Sequence, residues 1–175
     1  MALLRAALEL FAEHGYDATT AAMIAARAGV TEMTFFRHFR SKDAVLVDDP
    51  YDPLIAEAIA NQPPQLSPIA AAIGAIADGW RAVPPPASAE VRDRLRIVSR
   101  TPSLRGAIAR NNAATEEAIA GALVTRGVST TDARVAAAAV MGALSAALLE
   151  WADGDDPDLG TAIDTALRVL KGDPA

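Results

Sequence analysis

The stretch from Thr19 to Phe39, Thr-Thr-Ala-Ala-Met-Ile-Ala-Ala-Arg-Ala-Gly-Val-Thr-Glu-Met-Thr-Phe-Phe-Arg-His-Phe, constrains the fold more than any other. It predicts two short helices either side of an Ala-Gly turn. Thr20 is placed to cap the first, its hydroxyl accepting an orphan helix N–H. Ile24, Ala25 and Ala28 mark one apolar face at helical spacing. Gly29 stands where a left-handed residue ends a helix. Thr31 is the cap of the second helix, expected from Glu32 to about Phe39. Val30, Phe35 and Phe39 are expected to fill the space between the helices, leaving Glu32, Met33, Thr34, Arg37 and His38 on the outer face. Such a pair is either a plain helical hairpin or a helix-turn-helix, whose second helix enters the DNA major groove.

The rest of the chain reads as all-α. Half of its 175 residues are hydrophobic, alanine is abundant, and β-branched alternation is scarce. With no cysteine and only His14 and His38, disulfides, thiolate metal sites and the common nucleophile–base pairs have little to work with. No phosphate-binding glycine loop, paired-histidine zinc helix or serine elbow is present, so no enzyme, metal or cofactor is expected. The longest apolar run without charge, Val135 to Leu149, is 15 residues, short of the roughly 20 that span a bilayer. No signal-peptide pattern is seen, and a cytoplasmic protein without a membrane partner is expected. Net charge is −6, yet residues 1–47 hold five basic and five acidic side chains. The acidic excess therefore lies outside the helix pair, which is itself neutral, so any phosphate attraction must come from local placement.

Along the chain about nine helices are expected. Leu4, Ala7, Leu8 and Phe11 line a first helix from about residue 2 to His14, stopped by Gly15. After the pair, Lys42 and Asp43 open a fourth helix capped by Ser41. Asp48-Asp49-Pro50 and Asp52-Pro53 interrupt it, and Leu54, Ile55, Ala58 and Ile59 resume it. A fifth, beginning near Pro68, carries Ile69, Ile73, Ile76, Ala77 and Trp80, and Pro84-Pro85-Pro86 follows as a stiff connector. The sixth, about Ala87 to Ser99, turns Val91, Leu95 and Val98 inward. Its arginines Arg92, Arg94, Arg96 and Arg100 are either a solvated face or, for Arg96, an anion hold inside a pocket. Thr101-Pro102 starts a seventh running to Arg126 and closed by Gly127. Asn111 and Asn112 in its middle have either a polar task or a solvent-facing place. Ser129 to Asp132 begin the eighth, where Ala137, Met141, Leu144, Leu148 and Trp151 form a seam for another helix. The small residues Ala138, Gly142 and Ala146 permit a close backbone approach beside it. The ninth, about Pro157 to Lys171, shows Leu159, Ile163, Ala166, Leu167 and Leu170. This is more apolar surface than one small monomer buries, so helices eight and nine are expected to pair with their copies in a twofold four-helix interface.

The run Ala6 to Thr20, with Ile24-Ala25, Ala28-Gly29-Val30-Thr31 and Thr34 to Asp43, resembles the start of TetR-family regulators. The resemblance covers about the first 45 residues. It implies a helix-turn-helix head over residues 1–45 and a ligand-binding and dimerisation body over 46–175. Ser41-Lys42-Asp43 to Asp48-Asp49-Pro50, with Arg96-Ile97-Val98 and Thr101 to Arg105, is similar more narrowly to the branch containing the mycofactocin-system regulator, whose members are associated with acyl-CoA-like ligands. Family members usually carry a basic segment before the first helix. Here either the native start is short or such an arm is missing.

The implied function is a ligand-responsive regulator, a repressor released from a palindromic double-stranded DNA operator by a small hydrophobic or acyl-CoA-like effector. Thr31 and Lys42 are the expected phosphate contacts, with Thr20 and Arg27 behind them. Thr34, Arg37 and His38 reach bases or backbone, Arg37 being suited to guanine. Met33 stands where the family commonly has glycine, and Phe36 where it usually has tyrosine. Phe36 therefore either stacks on sugar or packs inward. Glu32 favours the helix dipole but repels phosphate unless aimed at a cytosine amine. In the body the resemblance implies a tunnel lined by Ile73, Trp80, Ile108, Met141, Leu144 and Trp151, with Arg96, Asn111 and Asn112 as polar contacts; ordinary core is the alternative for each apolar one. The neutral head keeps open a second function, a helical protein-interaction module that has lost DNA binding.

Overall fold

Local capping explains most of the helix boundaries in the computed structural model, which describes residues 2–47, 52–82 and 88–174. Helix α1 (Ala2–His14) ends at Gly15, whose φ of 79° only glycine adopts without strain. Helix α2 (Ala21–Arg27) begins at Thr20, whose hydroxyl accepts from the Met23 N–H. It ends in a double turn: the Gly29 N–H donates to Ala26, the Val30 N–H to Ala25, and Gly29 takes φ 71°. Helix α3 (Glu32–His38) starts at Thr31, whose hydroxyl accepts from the Thr34 N–H.

Helix α4 is a single turn, Ala44–Val47, and α5 runs from Asp52 to Ala60. The two parts of the interrupted fourth helix are thus numbered α4 and α5, which makes ten α-helices among the described residues. Its opening also moves, because Lys42 and Asp43 form a turn and helical geometry begins at Ala44 rather than behind a Ser41 cap. Pro53 does not interrupt a helix but lies in the first turn of α5, where a missing N–H costs nothing. Asp48-Asp49-Pro50 and Pro84-Pro85-Pro86 lie outside the described residues. Helices α6 (Pro68–Ala82) and α7 (Ser88–Arg100) follow. Thr101 leads into one 3-10 turn, Pro102–Leu104, without a side-chain cap bond, so α8 begins later than expected, at Arg105, and reaches Thr125. Helix α9 (Thr130–Asp153) is capped by Ser129, and α10 (Leu159–Lys171) by Asp158. The described residues contain no strand.

Two apolar clusters organise these helices. One joins α5, α6, α8, α9 and α10 around Ile59, Ile73, Ile119, Leu123 and Val140. The other holds α1 to α4 together around Leu10, Phe11, Ile24 and Phe35, and it also takes in Val98, Leu104 and Ala107 from α7, the 3-10 turn and α8. The N-terminal helices therefore share a core with the body. A smaller cluster of Trp151, Ala152, Leu159 and Ala162 closes the corner between α9 and α10.

Candidate nucleic-acid interface

Helix α3 is pinned by Phe35, which is fully buried, and by a half-buried Phe39 whose ring centroid lies 5.6 Å from that of Phe35. Burying these two turns the other face outward. Glu32, Met33, Phe36, Arg37 and His38 are exposed; Thr34 is half-buried, its hydroxyl 3.0 Å from that of Thr31. Phe36 neither packs inward nor stands free: it is 49% exposed, and its ring meets Phe35 edge-on at 5.3 Å. Val30 departs from expectation. Its N–H is consumed by the α2 terminal turn, and its side chain is 36% exposed rather than wedged between the helices. Arg37 and Arg40 make no ion pair with any described residue.

All four expected phosphate contacts carry structural duties: Thr20 and Thr31 cap α2 and α3, and Arg27 and Lys42 tie distant segments. Arg27 bridges α2 to α1, with Nη2 2.7 Å from the Glu13 carboxylate and Nη1 3.3 Å from Glu9. The Arg27 bond holds the Glu13 carboxyl below its ordinary pKa. Lys42 reaches back to the α1–α2 loop. Its Nζ donates to the Tyr16 carbonyl at 2.7 Å and the Thr19 carbonyl at 2.8 Å, and lies 4.0 Å from the Tyr16 ring centroid. That leaves one of three ammonium hydrogens for anything else. Thr19, 1% exposed, ties the same loop by donating to the Gly15 carbonyl at 2.8 Å. Sequence spacing does not reveal this clamp, because it pairs residues more than twenty positions apart.

In the body, the residues expected around one tunnel are dispersed. Ile73, Trp80, Met141 and Leu144 belong to the main cluster, Ile108 to the N-terminal one, and Trp151 to the corner, where Trp80 also touches it. Asn112 donates to the Ser145 hydroxyl at 3.3 Å, and Asn111 is half-buried beside it. A cleft of about 860 Å³ lies elsewhere, between α1 and α7, lined by Leu8, Glu9, Asp93, Arg96 and Ile97 among others. Arg96 edges it, but its guanidinium is spent on carbonyls: Nε donates to Ala152 at 2.7 Å and Nη2 to Gly154 at 3.5 Å. An anion hold by Arg96 would compete with these bonds.

The arginines of α7 are better described as couplings. Arg92 donates to the Asp156 carbonyl and its guanidinium lies 4.3 Å from the Trp151 ring centroid. Arg92 thus holds the loop after α9, and Arg96 satisfies carbonyls at the end of α9, where a cation also favours the helix dipole. Arg94, two residues from each, faces the other way. Its Nη2 and Nε donate at 2.8 and 3.2 Å to the Leu46 carbonyl in α4. Helix α7 is therefore a strut gripping the N-terminal unit on one side and the α9–α10 corner on the other. Ser103 to Asp17 at 2.7 Å and Arg110 to Asp43 at 3.3 Å add two further links.

One face of α9 is bare. Val135 is 65% exposed, Ala138, Gly142 and Ala146 are exposed, and Val169 of α10 is 60% exposed. A Cβ added at Gly142 would meet nothing within 4 Å. By length and composition α9 is apolar enough to cross a membrane, with an 18-residue stretch of mean hydropathy 1.7 that is 28% buried. The uncharged run is shorter than the helix, which carries Asp132 and Arg134 near its start and Glu150 and Asp153 near its end.

Comparison with known proteins matches this architecture. The family described as bacterial regulatory proteins, tetR family, matches residues 3–48, and the MftR C-terminal domain matches residues 66–173. The HTH-type transcriptional regulator TcmR of Streptomyces glaucescens is 32% identical over 191 aligned positions, spanning 97% of this chain and 81% of that protein. Among solved structures, NalD, the secondary repressor of the MexAB-OprM multidrug efflux pump in Pseudomonas aeruginosa, has a similar fold. Its TM-score is 0.57 at 23% identity, covering 98% of this chain and 92% of that one. FadR of Thermus thermophilus, in complex with lauroyl-CoA, gives 0.50 at 22% identity over 97% and 92%. These matches join the helix-turn-helix and the body in one assignment: the chain belongs to the TetR family of bacterial transcriptional regulators.

Proposed function

We propose that the chain is a homodimeric repressor that reads a palindromic operator through α3 and leaves it when an effector occupies the body. One observation carries this reading: Thr34, Arg37 and His38 lie on the outward side of a helix fixed by the buried Phe35, with Arg37 free of internal ion pairs among the described residues. Thr20 and Thr31, exposed at the two helix starts where they cap α2 and α3, would meet phosphates beside those caps. Lys42 contributes its one remaining N–H, and Arg27 acts indirectly by fixing α2. Glu32 favours a cytosine amine over phosphate. Residues 1–45 form the reading head and 46–175 the sensing and pairing body, acting in the cytoplasm without catalysis. The bare face of α9 with α10 pairs with its copy; its small side chains suit a close-packed helix more than lipid.

The effector class is a small hydrophobic compound, acyl-CoA-like by analogy with FadR and the MftR-type body. Ile73, Trp80, Met141 and Leu144, with Asn111 and Asn112, are the wall it would have to part; Ile108 and Trp151 lie at the ends. Separation there would reach the head through α7, since the Arg92 and Arg96 bonds and the Arg94 bond lie on one rigid helix. Occupancy then shifts the population toward a state whose heads no longer match the operator.

Titration of selected operator duplex at several salt concentrations, with and without lauroyl-CoA, tests the reading. A steep salt slope, sequence preference and weakening by lauroyl-CoA are expected. DNA binding without any lauroyl-CoA effect removes acyl-CoA as the effector and leaves the operator reading intact. Binding that lacks both slope and preference would favour the protein-interaction module, for which the neutral head charge argues.

A further inference from the structure

The α3 surface carries an apolar feature that phosphate and hydrogen-bond contacts leave unexplained. Met33, the second residue of α3, is 81% exposed, the largest exposure of any large hydrophobic among the described residues, and Phe36 is 49% exposed. They sit three apart on one helix face, so the two side chains are neighbours. Val30, 36% exposed in the preceding turn, continues the patch toward the helix start. Single exposed apolar residues need no explanation, but a contiguous patch marks a contact surface. Its borders carry two guanidinium groups and one carboxylate: Arg37 lies four residues from Met33, Arg40 follows the helix, neither pairs with a described residue, and the exposed Glu32 adjoins Met33 at the helix start. An apolar patch flanked by unpaired guanidinium groups suits a duplex groove, which presents phosphates at its edges and thymine C5 methyls on its floor, with Glu32 turned to a base amine rather than a phosphate.

We propose that Met33 and Phe36 are specificity-determining residues that read thymine methyl groups by apolar contact, so that each half-site carries thymines facing the first turns of α3. This rests on the operator reading above. Residues near the start of a recognition helix are the ones that reach base edges, and Met33 occupies that place. Methionine is flexible enough to follow a methyl that hydrogen-bonding side chains cannot address. Phe36 is held differently. Its ring stands perpendicular to that of the fully buried Phe35, at 5.3 Å between centroids, so one edge is fixed and the rest faces out. The tyrosine usual in the resemblance would offer a hydroxyl to phosphate, whereas phenylalanine offers only apolar surface. A neutral head gains less from phosphates than a basic one, and apolar base contacts supply discrimination that does not depend on salt.

The test uses the full chain and a duplex of about 30 base pairs recovered by selection from a random library. Each thymine is replaced in turn by deoxyuridine, which removes the C5 methyl and nothing else. Replacement at one or two positions per half-site is expected to weaken binding about fourfold per methyl, and about 15-fold when the same thymine is changed in both half-sites. Met33→Ala and Phe36→Ala should each lose the penalty at its own thymine while keeping the wild-type salt slope, since neither side chain touches phosphate. Met33 is so exposed that its truncation leaves the fold intact, which circular dichroism verifies. Penalties below twofold at every thymine, or penalties that persist unchanged in both variants, overturn the proposal while the operator reading stands. Failure to select any preferred duplex overturns both.

Discussion

Lys42→Met separates two roles that the same residue type can fill. The substitution keeps the apolar stem and removes the ammonium, so the Tyr16 and Thr19 carbonyls lose their donor. Charge-assisted bonds contribute about 1.5–3 kcal/mol each when buried. Here the group is half-buried, and burial pushes the Lys42 pKa down, so desolvation offsets part of the gain. The contact with the Tyr16 ring adds about 0.5 kcal/mol at such a site. The net is a loss of about 2 kcal/mol, which for a chain of this size lowers Tm by about 4–8 °C. Thermal and urea unfolding at fixed protein concentration measure it, because Tm in a dimer depends on concentration. The operator salt slope should change little. A residue whose main task is phosphate contact gives the opposite pattern: unchanged stability and a slope shallower by about one. That outcome would refute the clamp.

Three further outcomes follow from the same geometry. Burial, with the Asp43 and Asp17 carboxylates, pushes the Tyr16 phenol up to about 12 from its usual 10. The folded state therefore holds the proton longer than the unfolded one, so stability is full below pH 10 and falls as pH rises toward 12. The loss is about 1 kcal/mol once the phenol's solvent exposure is discounted, and Tyr16→Phe should abolish it in pH-dependent unfolding. Arg94→Ala frees the Leu46 carbonyl and cuts the strut on its head side; operator affinity should change severalfold while lauroyl-CoA binding, measured by calorimetry without DNA, stays the same. Ala138→Glu places a charge on the bare face of α9, where the single chain has room for it. Sedimentation should show monomers with native helicity, and operator affinity should fall at least 100-fold.

Features set within a few residues are legible in the chain's own pattern. Thr20, Gly29, Thr31, Gly127 and Ser129 act on backbone groups one turn away, so their residue type announces the helix end. The apolar stripe of α8 is equally plain, because Thr115, Ile119 and Leu123 repeat at helical spacing and are all buried. What the pattern hides depends on partners distant in sequence. Arginine spacing on α7 says nothing of the α4 and α9 carbonyls that Arg94 and Arg96 meet, and Lys42 gives no sign of the loop it clamps. Thr101 fails as a cap because a 3-10 turn, not an α-helix, follows it. Val30 reads as filler by composition, yet the turn geometry directs it outward. The expected tunnel residues share apolarity and helical register, which does not tell which apolar cluster each of them joins.

The central claim is geometric, and the absence of native cysteine makes it directly measurable. His14→Cys, at the exposed end of α1 and apart from the residues proposed to touch DNA, can carry a spin label for distance measurement by pulsed electron resonance in the presence of operator. Two heads seated in successive major grooves predict one intermolecular distance of about 35–45 Å, once the labels are allowed for. No intermolecular distance, or a distribution centred far from one helical turn of DNA, would contradict the account.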